Sequence, residues 1–205
     1  MPRWFKKRGG QENFEHVLTQ FAGKPFSYLE IGVFSGDSIS WVAKNVLTHP
    51  ESVAYGVDPW APMKNRDAVN IEGVYQRARQ ATEEFAKVTL FRDYSFRFLR
   101  KCRKKFDVIY IDGDHYAPFV LEDSVLSWAL LEPGGYMIWD DYNLKRKNKL
   151  VVDTAVQAFL SCFVEGDTYE RVELPNDYQF CVRKIRDERS AQVNEEGERV
   201  RGAHL

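Results

Sequence analysis

The sequence contains no long apolar run and almost no excess of either charge. No stretch of its 205 residues reaches the roughly 20 consecutive apolar residues that a membrane-spanning helix needs. The basic start MPRWFKKRGG is not followed by the apolar run of a secretory signal. The 29 Lys and Arg nearly balance the 30 Asp and Glu, for a formal net charge of -1, which disfavours a general polyanion binder. We therefore expect a cytoplasmic protein that has no membrane partner and binds no nucleic acid.

Cysteine is scarce as well. The chain has three cysteines, Cys102, Cys162 and Cys181, which lie far apart and do not form a CxxC pair. An odd number of isolated cysteines is not the pattern of a disulfide framework or of a zinc site. We therefore predict that all three are reduced thiols in the core of the protein.

Short β-branched or aromatic runs alternate with longer amphipathic segments, and this alternation predicts an α/β fold. Parallel strands are predicted at residues 27–33, 52–57, 88–92, 106–111 and 136–139. Helices are predicted to begin near Ser38, Gly73, Phe96, Pro118 and Leu150. Two further strand-like runs, 168–174 and 178–183, are joined by the turn sequence Pro-Asn-Asp. These runs predict an antiparallel hairpin at the end of a mostly parallel sheet.

The composition allows one sizeable core and little more, because 44% of the residues are hydrophobic in a chain of 205. We predict an amino-terminal segment or lid at 1–26, a folded domain at 27–185 and a charged, disordered tail at 186–205. The tail is poor in bulky apolar residues, so burial cannot offset the entropy lost on ordering it. The loops at 58–63 and 142–149 are the segments expected to close over a substrate.

A turn that contains two glycines follows the first predicted strand. Gly32 and Gly36 stand where the backbone must turn tightly and where a ligand can approach closely. The turn lacks both the GxGxxG spacing of dinucleotide sites and the GK[ST] of a phosphate loop, and it is equally consistent with a plain strand-to-helix turn. Asp58, at the end of the second strand, favours a nucleotide site, because an acid there can accept both hydrogen bonds of a ribose diol.

Carboxylates follow two apolar strands. Asp112 comes after Val-Ile-Tyr-Ile, and Asp140 and Asp141 come after Tyr-Met-Ile-Trp. The carboxyl ends of parallel strands meet at one rim, so we expect the three acids to converge. Three close carboxylates repel one another unless a cation neutralises them, and oxygen donors suit Mg²⁺ better than zinc. His115 is then the candidate general base, although strand-end acids and a surface histidine are the alternative interpretation.

Taken in order, these pieces resemble the class I S-adenosylmethionine-dependent methyltransferases, and within them the metal-dependent O-methyltransferases of the catechol, caffeoyl-CoA and macrocin type. The resemblance covers about residues 27–184. It rests on the loop at 30–38, on Asp58, on Ile-Asp-Gly-Asp-His, and on Leu-Glu-Pro-Gly-Gly followed by Trp-Asp-Asp-Tyr. It implies a Rossmann-like, doubly wound, mostly parallel sheet of seven strands with an antiparallel final strand.

The resemblance also implies a role for each site residue. Gly32 and Ser38 would approach the methionine part of the cofactor, Asp58 its ribose, and Tyr94 and Ser95 its adenine. The full set that would contact S-adenosylmethionine is Glu30, Gly32, Gly36, Ser38, Asp58, Tyr94, Ser95, Asp112 and Asp114. The divalent metal, expected to be Mg²⁺, would be held by Asp112, Asp140 and Asp141, with His115 as the catalytic base.

Two departures from the catechol and caffeoyl-CoA enzymes bear on the acceptor. Those enzymes have lysine at the base position and asparagine as the last metal ligand, where this sequence has His115 and Asp141. The difference favours the macrocin-like branch, and with it a sugar or glycosylated natural product as the hydroxylated small-molecule acceptor. The expected reaction is in-line transfer of a methyl group to a hydroxyl, from which His115 removes the proton.

Two alternative functions stay open. A binding protein or a hydroxylase-like relative would bind S-adenosylmethionine without transferring its methyl group. A nicotinamide-dependent oxidoreductase would need a GxGxxG loop and a Tyr-x-x-x-Lys pair, and neither is evident. A homodimer is among the expected assemblies, because little sequence precedes the first strand to supply substrate contacts.

Overall fold

A seven-stranded sheet runs through the centre of the protein. The structure, a computed structural model, describes residues 4–62, 69–144 and 151–187. Its strands are β1 Ser27–Ile31, β2 Val53–Asp58, β3 Val88–Arg92, β4 Phe106–Ile111, β5 Leu131–Trp139, β6 Tyr169–Arg171 and β7 Phe180–Lys184. They are ordered β3-β2-β1-β4-β5-β7-β6, the first five parallel and β7 antiparallel to both of its neighbours. The predicted α/β fold with an antiparallel carboxyl-terminal hairpin is confirmed.

Helices precede the sheet and connect its strands. Those in the described ranges are α1 Trp4–Lys7, α2 Gly10–Leu18, α3 Asp37–Asn45, α4 Ile71–Thr82, α5 Ser95–Lys101, α6 Ala117–Trp128 and α7 Val152–Leu160. Local signals explain where two of them begin. The Asn70 side chain accepts the Gly73 N–H at 2.9 Å and caps α4, and Pro118 occupies the first turn of α6. The helix starts therefore lie within two residues of those predicted for the crossovers.

Alternate residues of the central strand β4 face two separate apolar layers. Val108 and Tyr110 pack with residues of α2, α3 and α4, whereas Ile109 and Ile111 pack with residues of α5, α6 and α7. All four side chains are buried, as expected of a parallel strand covered on both faces. The sheet is therefore the middle layer between two layers of helices.

The chain reverses its direction of travel across the sheet at β1. From β1 it proceeds outward to β2 and β3, and then returns to place β4 and β5 on the other side of β1. Ligands of open α/β sheets bind outside the carboxyl ends of the strands at such a switch point. Because β1 ends at Ile31 and β4 at Ile111, this crevice opens beside Gly32 and Asp112.

Among the strand boundaries that differ from the predictions, three have a physical reason in the structure. β1 ends at Ile31 because Gly32 turns the chain with a φ of 89°. β5 begins at Leu131 and includes the Pro-Gly-Gly sequence, and its register with β4 shifts along this stretch. β6 is limited to Tyr169–Arg171 and pairs with β7 alone at the edge of the sheet.

The amino-terminal segment packs against the sheet. The sequence predicts a loose first dozen residues or a lid; Gly10 lies within them and is buried, and Phe14, Val17 and Leu18, just after them on α2, are buried too. Phe5 of α1 meets Phe14 edge to face with ring centroids 4.8 Å apart. Positions 14, 17 and 18 have the spacing of one helix face, so this packing does have a signal in the sequence. The division of the chain at residue 26 stays a prediction.

The cysteines follow their prediction only in part. All three are free thiols, and Cys181 is buried. Cys162 is exposed, so its predicted place in the core is wrong, because it follows the end of α7 in a surface turn. Burial raises the pKa of Cys181, which keeps that thiol in its neutral form.

Several predictions concern residues outside the described ranges. These are Met63 in the loop at 58–63, the basic run at 145–149 in the loop at 142–149, and the tail beyond residue 187. Among the helices that are described, none has both the length and the apolar character needed to cross a bilayer.

Candidate active site

The loop between β1 and α3 lies directly against the end of β4. The backbone N–H of Asp112 donates to the Ile31 carbonyl at 2.8 Å. A Cβ on Gly32 would lie 2.1 Å from the carbonyl oxygen of Asp112, so only glycine fits at this position. Gly36 has a φ of 85° where α3 begins, and a Cβ there would meet the backbone of Ala78 at 3.2 Å. Both predicted glycines therefore serve contacts within the protein itself.

Glu30 and Ser38 form a buried pair at the root of this loop. The Tyr28 hydroxyl donates to one carboxyl oxygen of Glu30 at 2.8 Å, and the Ser38 hydroxyl donates to the other at 2.6 Å. Glu30 has no exposed surface. Burial raises the pKa of Glu30 to about 8, although the two hydrogen bonds act in the opposite direction. These two members of the predicted cofactor set thus hold the loop to β1 from inside the protein.

The raised pKa of Glu30 predicts a pH-dependent stability that Glu30→Gln should remove. A carboxyl that binds its proton more tightly in the folded state stabilises the fold only at low pH. The contribution of Glu30 to the free energy of unfolding is therefore lost as the pH rises from about 4.5, the ordinary pKa of a glutamate, toward about 8, its pKa in the folded protein. Urea unfolding between pH 5 and 8 should show the wild type losing on the order of 2–4 kcal/mol relative to Glu30→Gln.

The exposed Glu84 provides the matched control for this measurement. Glu84→Gln removes the same charge from the surface, so its stability curve should run parallel to that of the wild type across the pH range. Parallel curves for Glu30→Gln and the wild type would contradict the assignment of a buried, neutral Glu30.

Asp58 connects the glycine loop to the loop after β2. Its Oδ2 accepts the N–H of Phe34 at 2.9 Å, and its Oδ1 accepts the N–H of Trp60 at 2.7 Å. Phe34 and Trp60 have positive φ angles of 48° and 38°, so the carboxylate fixes two strained residues. Burial raises the pKa of Asp58, and the backbone hydrogen bonds oppose that rise. Asp58 lies at the predicted strand end with part of its acceptor capacity already in use.

Tyr94 and Ser95 stand where β3 passes into α5, at the same edge of the sheet. Tyr94 is exposed, whereas the Ser95 hydroxyl forms a hydrogen bond with Asp123 of α6. Burial raises the pKa of Asp123 to about 7. Asp114 is exposed, and its Oδ1 accepts the N–H of Tyr116 at 2.7 Å. Tyr94 and Ser95, the predicted adenine contacts, therefore lie together at this edge of the sheet, and the buried acid Asp123 contacts Ser95.

Asp112, His115 and Asp141 converge where β4 and β5 end. One possible metal-ligand atom from each lies within 4.8 Å of the others. The Nε2 of His115 is 2.9 Å from the Oδ2 of Asp141. Asp141 is buried, and it adopts a φ of 54° two residues after β5 ends. The sequence predicts that these three side chains share one rim, and the structure places them together there.

Asp140 does not join this group. Its Oδ1 accepts a hydrogen bond from the Gln179 side chain at 2.6 Å, and its Oδ2 accepts one from the Tyr178 hydroxyl at 2.9 Å. The Tyr178 hydroxyl also lies 2.8 Å from the Oδ1 of Asp141 and so bridges the two carboxylates, whereas the Gln179 side chain contacts only Asp140 of the pair. The predicted metal set was Asp112, Asp140 and Asp141, whereas the geometry groups Asp112 and Asp141 with His115 and leaves Asp140 outside this group.

The carboxylates of the site differ in their protonation. Burial, reinforced by the neighbouring Asp140 and Asp141, raises the pKa of Asp112 well above its ordinary value. Burial also raises the pKa of Asp140 to about 6. Burial would raise the pKa of Asp141 too, but hydrogen bonding and charge from His115 and the charge of Arg8 outweigh it, so that pKa is lowered. Asp141 is therefore the anionic centre of the cluster.

The donor set fits a hard or intermediate divalent cation. Asp112 and Asp141 offer the carboxylate oxygens that Mg²⁺ and Mn²⁺ prefer, and the imidazole of His115 is compatible with Mn²⁺. Ligands about 2.1 Å from an octahedral ion lie at most about 4.2 Å apart. Because the three atoms lie within 4.8 Å of one another, an ion held by all of them would need only a small contraction of the cluster.

Sequence reasoning missed four residues around the site: Arg8, Asp123, Tyr178 and Gln179. Asp123 does carry a signal, because it falls on the buried face of α6. Tyr178 and Gln179 precede β7, and an antiparallel strand brings its first residues to the rim where parallel strands end. Arg8 reaches Asp141 across 133 positions of sequence, and no local pattern indicates such a contact.

Sequence comparison assigns most of the sheet to one known family. Residues 29–142 match the sequence model of a family described as a methyltransferase domain. An uncharacterized protein of Acanthamoeba polyphaga mimivirus is 25% identical over 147 residues, which cover 68% of this chain and 65% of that protein. The chain thus spans slightly less than two thirds of the length of this curated relative.

Solved structures share the fold at low sequence identity. The O-methyltransferase TomG of Streptomyces achromogenes, solved with S-adenosylmethionine, is 16% identical with a TM-score of 0.58, covering 87% of this chain and 80% of TomG. The N-methyltransferase NodS of Bradyrhizobium japonicum, solved with S-adenosyl-L-homocysteine, is 13% identical with a TM-score of 0.58, covering 89% and 88%. The cofactor-bound protein Rv0187 of MTB is 16% identical with a TM-score of 0.64, covering 87% and 81%. At these identities the likeness concerns the fold.

Proposed function

Because the chain belongs to the methyltransferase-domain family whose sequence model it matches over residues 29–142, we propose that it transfers a methyl group from S-adenosylmethionine to a hydroxyl group of a small molecule, assisted by a divalent cation. The observation that carries this proposal is the cluster of Asp112, His115 and Asp141 at the switch point of the sheet. The cluster lies beside the glycine loop, where ligands of open α/β sheets bind. The cofactors of TomG and NodS, which share this fold, support the choice of cofactor.

Residues on β1, β2 and β3 would hold the cofactor. Asp58 would bind the ribose with the acceptor capacity that its backbone hydrogen bonds leave over. The exposed ring of Tyr94 offers a stacking surface for adenine. Glu30 and Ser38 act as positioning residues in this proposal, since their polar groups bind each other inside the protein.

His115 would act as the general base toward the acceptor hydroxyl. S-adenosylmethionine supplies an electrophilic methyl group, and a cation held by Asp112 and Asp141 supplies positive charge that lowers the pKa of the hydroxyl. The His115 Nε2 donates to Asp141 at 2.9 Å, and this tautomer leaves the lone pair on Nδ1 to accept the proton. Asp141 then stabilises the imidazolium, while the remaining residues contribute by holding the reactants in place.

The acceptor class that we propose is a sugar or a glycosylated small molecule. The catechol and caffeoyl-CoA O-methyltransferases, which this sequence resembles, have lysine and asparagine at the positions of His115 and Asp141. Tyr116 and Phe119, which follow His115 in the chain, are both exposed, and their ring centroids are 5.9 Å apart. Such aromatic faces can cover the apolar face of a ring-shaped acceptor. Nucleic acid and membrane lipid are not part of this proposal.

The proposal is tested by titrating S-adenosylmethionine and its demethylated product into the wild type and Asp58→Ala, with and without Mg²⁺, by calorimetry. A hydrogen bond to a charged group contributes about 1.5–3 kcal/mol, so Asp58→Ala should bind roughly 10- to 100-fold more weakly. Asp37→Ala is the control, because it removes an exposed carboxylate at the start of α3 and should bind nearly as the wild type does.

Methyl transfer is then followed with methyl-labelled S-adenosylmethionine and a panel of hydroxylated sugars and phenols. Label incorporation into a sugar would support the acceptor class, and incorporation only into phenols would reject it. If the wild type binds NADH and neither form of the cofactor, the methyltransferase proposal fails and the oxidoreductase alternative replaces it.

A further inference from the structure

Arg8, on the amino-terminal segment, reaches into the candidate metal cluster. Its Nη1 lies 3.0 Å from the Oδ1 of Asp141 and 3.4 Å from the hydroxyl oxygen of Tyr178. Its guanidinium carbon lies 5.7 Å from the centroid of the Tyr178 ring. The Arg8 side chain is 41% exposed and that of Asp141 is 8% exposed. The contact therefore joins a partly solvated cation to a buried anion.

Asn176, in the turn before β7, fixes the backbone next to Arg8. The Asn176 side chain donates to the Gly9 carbonyl at 3.1 Å, and the Asn13 side chain donates to the Asn176 side chain at 3.1 Å. Gly9 has a φ of 87°, and a Cβ there would lie 2.5 Å from the Asn176 side chain. These contacts between α2 and the turn before β7 direct the segment toward the site.

Both oxygens of the Asp141 carboxylate are thus already in contact with other side chains. Arg8 contacts the Oδ1 of Asp141, and His115 contacts its Oδ2 at 2.9 Å. A divalent ion ligated by Asp141 would be close to the Arg8 guanidinium, and like charges at such a distance repel. Binding of the ion to Asp141 therefore weakens the Arg8 contact, and the Arg8 contact weakens binding of the ion.

We propose that Arg8 is an internal competitor of the divalent cation, so that cation binding at Asp141 releases the amino-terminal segment from the rim of the site. This inference rests on the metal site of the proposed function. Coupling between two binding events is reciprocal. Removal of Arg8 therefore strengthens cation binding, and cation binding loosens the contacts of residues 4–12.

The first test is calorimetric titration of Mg²⁺ and of Mn²⁺ alone into the wild type, Arg8→Gln and Lys6→Gln. Arg8→Gln is expected to bind the cation roughly fivefold to tenfold more tightly than the wild type. This change corresponds to the free energy of one ion pair between a partly exposed and a buried side chain, which the ion no longer has to break. Lys6 is the matched control, because it is exposed on the short helix α1, two residues before Arg8. Lys6→Gln removes an equal charge and should change the affinity by less than about twofold.

The second test is hydrogen–deuterium exchange, which does not depend on activity. Mn²⁺ should accelerate amide exchange in residues 4–12 of the wild type and leave α3 unchanged. In Arg8→Gln the same segment should already exchange faster without the ion.

The outcomes separate this inference from the metal site itself. Equal cation affinity in the wild type and Arg8→Gln, with exchange unaffected by Mn²⁺, would overturn the competition while leaving the metal site intact. Binding to neither protein would overturn both, since Arg8→Gln should bind the ion most readily. Thermal unfolding of each variant confirms that a changed affinity does not reflect a misfolded chain.

Discussion

Replacing His115 with glutamine is expected to lower the turnover number by about 10²–10⁴-fold, the usual contribution of a general base. Glutamine keeps a polar side chain of similar reach but cannot accept a proton at neutral pH. The affinity for S-adenosylmethionine should change by less than about twofold, because His115 is assigned to the acceptor side of the site. Turnover at saturating acceptor and cofactor, together with calorimetry, measures both quantities.

The same variant distinguishes a base from a metal ligand, because the His115 imidazole belongs to the ligand-like cluster. A base can be lost with little change in cation affinity, whereas loss of one protein ligand weakens metal binding by about tenfold or more. His49→Gln, at a half-buried histidine between α3 and β2, is the control for histidine replacement. Unchanged turnover in His115→Gln would contradict the base, and a tenfold weaker Mn²⁺ affinity would reassign His115 as a ligand.

The sheet could be predicted because its signals are local. β4 ends in an unbroken apolar run at 108–111, and the structure buries both faces of this run. The Pro-Asn-Asp turn before β7 marks the change to antiparallel pairing. Order across the sheet follows from few rules once strands alternate with helices. The acids at the strand ends therefore fall on one rim, as the residue pattern indicates.

The choice between Asp140 and Asp141 could not be made from the sequence. Both follow Trp139, and the pattern of apolar and acidic residues treats them alike. The difference lies with Gln179, whose side chain hydrogen-bonds with Asp140, because the Tyr178 hydroxyl contacts both carboxylates. Both partners lie just before β7, so their contact depends on tertiary register and not on spacing along the chain.

Arg8 illustrates a second limit. Basic residues at the start of a chain are usually solvated, and nothing local marks Arg8 as different from Lys6. Its contact with Asp141 requires that α2 pack through Phe14 and that Asn176 fix Gly9. The contact between Asn176 and Gly9 spans more than 90 positions, and the packing of Phe14 depends on several buried partners at once. Such long-range arrangements leave no periodic signal.

The glycine loop has a structural role that the sequence indicates only in part. The sequence places Gly32 where the backbone must turn tightly and a ligand can approach; the structure shows the turn and, in addition, the close approach of the Asp112 backbone. The loop and the end of β4 are thus held together before any ligand binds. Preorganised sites of this kind lose function when the packing behind them is disturbed.

Gly32→Ala tests this contact directly and should cause the largest loss of stability. The added Cβ would lie 2.1 Å from the Asp112 carbonyl oxygen, at a φ of 89°. Backbone strain and a clash with backbone atoms together should cost about 3–5 kcal/mol. For a protein of this size that corresponds to a decrease in Tm of roughly 10 °C or more.

Gly23→Ala separates the two causes. Gly23 has a φ of 76°, and a Cβ there would meet no atom within 4 Å, so only the cost of the left-handed conformation, about 1 kcal/mol, should appear. The excess loss in Gly32→Ala over Gly23→Ala then measures the contact with β4. Equal losses in the two variants would show that the loop moves away freely. The cofactor-binding side of the crevice would then not be fixed by Asp112.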